Sequence, residues 1–161
     1  MKTKVAYFGV YMALALIFSY VESLVPISLG IPGVKLGLAN LIGIITLYKM
    51  GIREAYVISI VRVILAGFIF GNMFGIIYSL AGGLLSLTVM MLLKLTDWFS
   101  IIGISMAGGV FHNVGQLNVA GIVVQTPSVI YYLPALLLAG LITGCIIGVI
   151  SKEMLKRLKK L

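Results

Sequence analysis

The sequence is poor in charged residues, which make up only 10% of its 161 positions, whereas 61% are hydrophobic. Soluble domains carry roughly 25% charged residues, so a chain of this composition cannot cover a water-facing surface. The length suits one compact unit and is too short for two. The sequence therefore predicts a single membrane domain over residues 1–161.

Cysteine, histidine and acidic residues are also scarce. The one cysteine, Cys145, rules out a disulfide framework and a cysteine metal cluster. The one histidine, His112, has no carboxylate or thiol near it in the sequence, so we predict no metal site and no cofactor. Magnesium sites need carboxylates alongside substrate phosphates, and the sequence has no phosphate loop of the Walker type. The four acidic residues are instead scattered, at Glu22, Glu54, Asp97 and Glu153. We therefore predict that the chain is not an enzyme and that any catalysis belongs to a partner.

The sequence consists largely of long apolar runs. Crossing the hydrocarbon core takes about 20 mostly apolar residues as a helix. Only helices and closed barrels satisfy the backbone in lipid, and these runs are too long for barrel strands. The sequence therefore predicts an all-α, polytopic integral membrane protein with six transmembrane helices and a basic tail over 151–161. The predicted spans are 5–24, 35–49, 54–70, 73–93, 101–124 and 130–150, the second of them short.

The basic residues predict the orientation of these helices, because cytoplasmic loops are enriched in lysine and arginine. With both termini in the cytoplasm, Lys35 alone lies at the outer surface and Arg62 lies within a span. We therefore predict a multi-pass protein of the prokaryotic cell membrane, with its tail against anionic lipid head groups. Because the net charge of +8 is divided among short loops and this tail, we predict no nucleic-acid partner. The other ten basic residues are Lys2, Lys4, Lys49, Arg53, Lys94, Lys152, Lys156, Arg157, Lys159 and Lys160.

Polar side chains gather in the predicted outer half of the helices. His112 and Gln116 share one face of the fifth helix, and Asn113 lies within about 100° of it. An arginine at mid-membrane, such as Arg62, costs roughly 2.5–3.5 kcal/mol on insertion scales. Any one amide could serve helix packing alone, but together these groups predict an outward-facing, ligand-binding cavity. Its predicted lining is Glu22, Lys35, Asn40, Arg62, Tyr78, His112, Asn113 and Gln116. The sequence leaves open whether Glu22 pairs with a basic group or whether the basic groups bind an anion.

Two segments, "IPGVKLGLANL" at 31–41 and "GGVFHNVGQLNVAG" at 108–121, carry a family resemblance. With the six-helix pattern they resemble the membrane family called heptaprenyl diphosphate synthase component I, or Gx transporters. That family is similar to the S components of energy-coupling-factor (ECF) transporters. The resemblance implies an S-component-like bundle that binds its substrate from outside. It also implies two kinds of partner, a membrane T component and two ATPase subunits.

The same resemblance implies roles for two further parts of the chain. S components carry small residues four apart in the first helix, where the T component docks, and Gly9 and Ala13 stand at that spacing here. Gly9 departs from the alanine usual in that motif, and packing within the subunit is the alternative. The loop after the first helix covers the occupied site in S components, which implies a lid over residues 25–34. A plain connector is the alternative for this loop.

Three functions compete at this point. The first is an S component that captures a small anionic or amphipathic nutrient or cofactor precursor. The second is a non-catalytic membrane accessory of heptaprenyl diphosphate synthase, in isoprenoid-quinone biosynthesis, beside a prenyltransferase catalytic subunit. The third is a structural partner in a membrane redox or export assembly without a ligand. It predicts a collapsed outer half in which Glu22 neutralises Arg62.

Overall fold

The described residues of the chain are helical almost throughout. A computed structural model describes residues 2–24, 37–125 and 127–158. These ranges contain six α-helices, a 3-10 helix over Pro127–Tyr132 and no strand, which confirms the predicted all-α class. The α-helices are α1 Lys2–Leu24, α2 Leu38–Lys49, α3 Ile52–Phe70, α4 Met73–Leu95, α5 Ile101–Val124 and α6 Leu133–Arg157.

The length and composition of the helices are those of a membrane protein. Within the described part of the chain, three segments are long and apolar enough to cross a bilayer: Lys4–Leu24, Met73–Leu95 and Ile130–Arg157. Many large apolar side chains on the outside of the bundle are exposed, among them Phe68 at 70% and Ile122 at 75%. In water such a surface would be unfavourable, whereas lipid tails solvate it.

Helix α2 is shorter than the span predicted for it. It begins at Leu38, directly after Gly37, whose φ of +74° lies in the left-handed region that glycine adopts without steric cost. Its 12 residues rise about 18 Å at 1.5 Å per residue, well short of the ~30 Å hydrocarbon core. This helix therefore reaches only part of the way through a bilayer.

Helix α6 is longer than predicted. It continues to Arg157 as one helix of 25 residues, and Met154 and Leu155 pack against the apolar core. The predicted basic tail therefore begins, over residues 151–157, as an extension of α6 folded onto the bundle. The basic side chains of Lys152, Lys156 and Arg157 remain exposed, so their predicted contact with lipid head groups stays a prediction.

The six helices close into a ring in the order α1, α3, α4, α5, α6, α2 and back to α1, and α2 also packs on α3. The contact between α5 and α6 is the closest of these, because glycines let the two backbones touch. A Cβ atom on Gly144 would lie 2.7 Å from Cα of Met106, and one on Gly140 would lie 2.8 Å from the carbonyl oxygen of Gly109. Glycines four apart on one helix face, as at Gly140, Gly144 and Gly148, permit this approach.

The two ends of the ring differ in chemistry. At one end, Lys4 pairs with Glu54 at 2.6 Å, and Lys94 Nζ donates to the carbonyl oxygen of Leu47 at 2.6 Å. The apolar core lies next to this end and is centred on buried residues of α2, such as Ile44 and Ile45. We call this the basic end. The opposite end, where α1 and α3 finish and α4 begins, holds a cavity.

Candidate functional site

A polar cavity of about 170 Å³ opens at the end of the ring opposite the basic end, and all six helices contribute to its wall. Five of the eight predicted site residues line it: Glu22, Asn40, Arg62, His112 and Asn113. The remaining lining residues are Ser19, Ser23, Gly37, Val63, Ala66, Gly67, Phe70, Gly71, Asn72, Gly75, Ser79, Gly109 and Thr143. The sequence pattern thus predicted most of the charged and amide groups of this cavity.

Arg62 reaches the cavity from the middle of α3. Its Nη1 donates to Ser19 Oγ at 3.1 Å, and that hydroxyl in turn donates to the carbonyl oxygen of Ala15 at 2.8 Å. A guanidinium carries five N–H donors, so this one hydrogen bond uses a small part of its capacity. Among the described residues Arg62 forms no ion pair. The remaining donors can therefore serve a bound anion.

Glu22 is held by the backbone of α2. Its Oε1 accepts a hydrogen bond from the N–H of Gly37 at 2.6 Å, directly before the first residue of α2. A carboxylate is favourable at a helix N-terminus, where the helix dipole is positive. The Glu22 charge acts on Arg62 through space, but no described residue forms an ion pair with Glu22. The pairing of Glu22 with Arg62 that the sequence left open is thus absent among the described residues.

Helix α5 contributes two polar side chains to the cavity wall. Asn113 is buried, and its Nδ2 donates to the carbonyl oxygen of Leu136 on α6 at 2.7 Å, which fixes the amide beside the cavity. His112 is half-buried and lines the cavity one residue earlier. It also packs over Gly82 of α4, where a Cβ atom would lie 2.8 Å from the carbonyl oxygen of His112. An imidazole and an amide of α5 thus line the same cavity as the guanidinium of α3.

A family model described as heptaprenyl diphosphate synthase component I matches residues 11–154. The chain belongs to this family. No curated protein and no solved structure matches it. Because the match runs from α1 into the last turns of α6, every residue that lines the cavity lies within the part shared with the component I family.

Two predicted site residues do not line the cavity in this component I chain. Tyr78 is half-buried and stacks on Phe74, with ring centroids 5.8 Å apart. Gly75 and Ser79 share the cavity face of α4 instead, and Tyr78 points about 100° away from Ser79 because one helical residue turns by that angle. Its place in the predicted lining therefore does not match the structure.

Gln116 is the second predicted site residue that does not line the cavity. It is 2% exposed and lies in the contact between α4 and α5, where a Cβ atom on Gly82 would come within 2.8 Å of Gln116 Cγ. The helices approach so closely here that Gln116 is enclosed one turn beyond His112. Its Nε2 has no hydrogen-bond partner among the described residues. Lys35 and the whole of the predicted lid over 25–34 lie outside the described residues.

The small polar residues of the cavity had not been predicted. Ser19, Ser23, Ser79 and Thr143 line it, yet serine and threonine are frequent in membrane helices and single ones carry little signal. Ser79 could have been found, because it stands seven residues after Asn72, about two helical turns along the same face. Asn72 caps α4, and its side chain accepts from the N–H of Gly75 at 2.8 Å.

Proposed function

We propose that this member of the component I family is a non-catalytic membrane subunit that binds an anionic ligand in the cavity. The observation that carries the proposal is Arg62, whose guanidinium faces a cavity and forms no ion pair with the described residues. Placing an arginine at this depth costs roughly 2.5–3.5 kcal/mol. A phosphate or carboxylate bound by charge-assisted hydrogen bonds would offset that cost.

The family description supports a role beside a prenyl diphosphate synthase. A component I implies a second component, and we propose that the second component is the catalytic prenyltransferase. The scattered acidic residues of this chain support a non-catalytic role, because holding magnesium against a diphosphate takes grouped carboxylates. In this proposal the cavity binds the diphosphate group of a prenyl compound.

A second candidate is the S component of an ECF transporter. It is favoured by the position of the cavity opposite the basic end, because the positive-inside rule then turns the cavity outward. The first helix favours it as well. Gly9 and Ala13 are both exposed, and a Cβ atom on Gly9 would meet nothing within 4 Å. These residues thus remain available to a T component. The open cavity, in turn, disfavours the ligand-free structural partner, which required a collapsed outer half.

Purification of the tagged protein from its native membrane, followed by native mass spectrometry, tests the proposal and separates its two forms. We expect a bound anionic compound that is lost in Arg62→Ala and His112→Ala. Arg53→Ala is the matched control, because Arg53 is exposed at the basic end. Co-purification of a prenyltransferase would identify the chain as the accessory of a synthase. Co-purification of a T component with ATPases would identify it as an S component. Wild-type retention of the compound by both cavity variants would refute the binding function.

The proposed topology has six spans with both termini in the cytoplasm. Cysteines at Gln125 and Trp98, each in a Cys145→Ser background, test it in intact cells. Both positions are exposed, Gln125 at the end of α5 nearer the cavity and Trp98 beyond α4 at the basic end. We expect a membrane-impermeant maleimide to label Gln125→Cys, and to label Trp98→Cys only after the cells are permeabilised. The reverse pattern would place the cavity on the cytoplasmic side.

A further inference from the structure

We infer that the cavity receives only the anionic head of a lipid, whose apolar chain leaves the protein between α1 and α3 beside Tyr20 and Phe70. This inference rests on the proposed function and adds the class of ligand. A wholly enclosed, water-soluble ligand is the contrasting case. Four observations carry the inference: the cavity's size, its floor, its mouth and its wall along α3.

The size of the cavity admits a head group and little more. Its volume of about 170 Å³ is close to that of an engineered cavity of ~150 Å³ that binds benzene. A diphosphate group has a similar number of heavy atoms and fits such a space. A chain of seven isoprene units is several times larger. Any long chain on the ligand must therefore lie outside the cavity.

The floor of the cavity is closed. Beneath it lie two small voids of about 10 Å³ and 20 Å³, and Asn40 and Met90 line both of them. A single water needs a void of roughly 10–15 Å³, so each of the two voids holds about one water at most. Met90 is 2% exposed and packed into the apolar core. A chain therefore cannot continue inward along the axis of the ring.

The mouth of the cavity is an unfavourable route for a chain. It is bordered by polar residues at the ends of the helices, among them Glu22, Ser23 and Asn72. Leaving an apolar chain exposed to water there costs about 0.8 kcal/mol for each methylene group. A long chain at the mouth would thus lose more free energy than the head group could gain.

The wall along α3 offers the remaining route. Beyond Arg62, α3 lines the cavity with the apolar side chains of Val63, Ala66 and Phe70, whereas α2 and α5 line it with amides. Phe70 lines the cavity and also contacts Tyr20 of α1, with ring centroids 5.0 Å apart. Both rings are partly exposed on the surface of the bundle, Phe70 at 38% and Tyr20 at 46%. This aromatic pair thus lies between the cavity and the surrounding lipid.

The position of Arg62 fits the same route. It donates to Ser19, the residue before Tyr20, so the guanidinium lies at the inner side of the contact between α1 and α3. An anion bound there would direct its chain toward the aromatic pair. Only 11% of the most apolar window of α1 is buried inside the protein, so most of this helix faces lipid beside the proposed route.

The first test maps the path of the chain. A farnesyl diphosphate analogue with a photoreactive diazirine on its second isoprene unit is bound to the purified protein and irradiated, and the labelled residue is found by mass spectrometry. We expect label at Tyr20 or Phe70, and competition by inorganic diphosphate. Label at Met90 or Asn40 would overturn the inference, because the chain would then run through the floor.

The second test closes the route. Tyr20→Cys and Phe70→Cys are combined with Cys145→Ser and joined by a short bifunctional thiol reagent. We expect the cross-link to weaken farnesyl diphosphate binding by at least about tenfold, or ~1.4 kcal/mol, more than it weakens isopentenyl diphosphate binding. The same protein before cross-linking is the control for both compounds. An equal effect on the two compounds, or no effect on either, would overturn the inference.

The outcomes separate this inference from the proposal beneath it. If isopentenyl diphosphate and inorganic diphosphate do not bind, or bind equally to Arg62→Ala, the proposed binding of a diphosphate in the cavity fails. If the two diphosphates bind through Arg62, the cavity binds anions. If the photoreactive chain then labels the floor, or if the cross-link has no effect on farnesyl diphosphate binding, only the proposed route of the lipid chain is wrong.

Discussion

Alanine in place of Gly109 should force α5 and α6 apart. A Cβ atom there would overlap the carbonyl oxygen of Gly140 and lie 3.3 Å from Cα of Gly144. These are backbone atoms of a neighbouring helix, so no side-chain rotation can relieve the contact. Overpacking a closely packed site costs about 1–3 kcal/mol and sometimes more. We expect the upper part of this range and a clear fall in the thermal unfolding temperature of the detergent-solubilised protein.

Gly121→Ala is the matched control for this variant. Gly121 lies on the same helix, and a Cβ atom on it would meet nothing within 4 Å. Since alanine is favoured over glycine inside a helix by about 0.8–1.0 kcal/mol, Gly121→Ala should leave the unfolding temperature unchanged or raise it slightly. Equal unfolding temperatures for the two variants would show that the close contact of α5 and α6 does not stabilise the fold.

Methionine in place of Arg62 should abolish anion binding without loss of stability. A charge-assisted hydrogen bond contributes roughly 1.5–3 kcal/mol, so losing one or two of them lowers the affinity for inorganic diphosphate by about 10-fold to about 20,000-fold. The substitution also removes a cationic group whose position within the membrane is unfavourable for the folded protein. We therefore expect an unfolding temperature equal to or above that of the wild type. Isothermal titration and thermal unfolding measure the two quantities separately.

Two further variants define what Arg62 contributes. Arg62→Lys keeps the charge but loses the planar fork that binds phosphate through two parallel hydrogen bonds, so its affinity should fall between those of wild type and Arg62→Met. Arg53→Met, at the basic end, should bind diphosphate as the wild type does. If Arg62→Met instead lost stability and binding together, Arg62 would be a packing residue, and the cavity would not be an anion site.

The all-α class and most helix boundaries could be predicted, because apolar runs bounded by glycine and charged residues define them. Helix α5 begins and ends as predicted, at 101 and 124. The start of α2 was predicted three residues too early, at Lys35, because only Leu36 and Gly37 separate that lysine from Leu38 in the sequence. The left-handed backbone at Gly37 that precedes the helix carries no signature beyond the glycine itself.

The position of a polar residue along its helix could be predicted from the sequence, whereas the direction in which its side chain points from the helix could not. Arg62, His112 and Asn113 were placed in one cavity because polar groups at similar depth must avoid lipid. Gln116 satisfies the same criterion, yet it is enclosed between α4 and α5. Whether a polar residue faces a cavity or a neighbouring helix depends on how closely the helices approach. That distance depends on glycines such as Gly82 and Gly115, whose partners lie far away in the sequence.

The depth of Arg62 has an electrical consequence. The cavity extends from the end of the ring to Arg62 in the middle of α3. In the proposed topology, an anion bound there has crossed part of the transmembrane voltage. A full crossing is equivalent to about 2.3 kcal/mol per charge at 100 mV. Because the cell interior is negative, a multiply charged anion would bind more weakly when the membrane is energised.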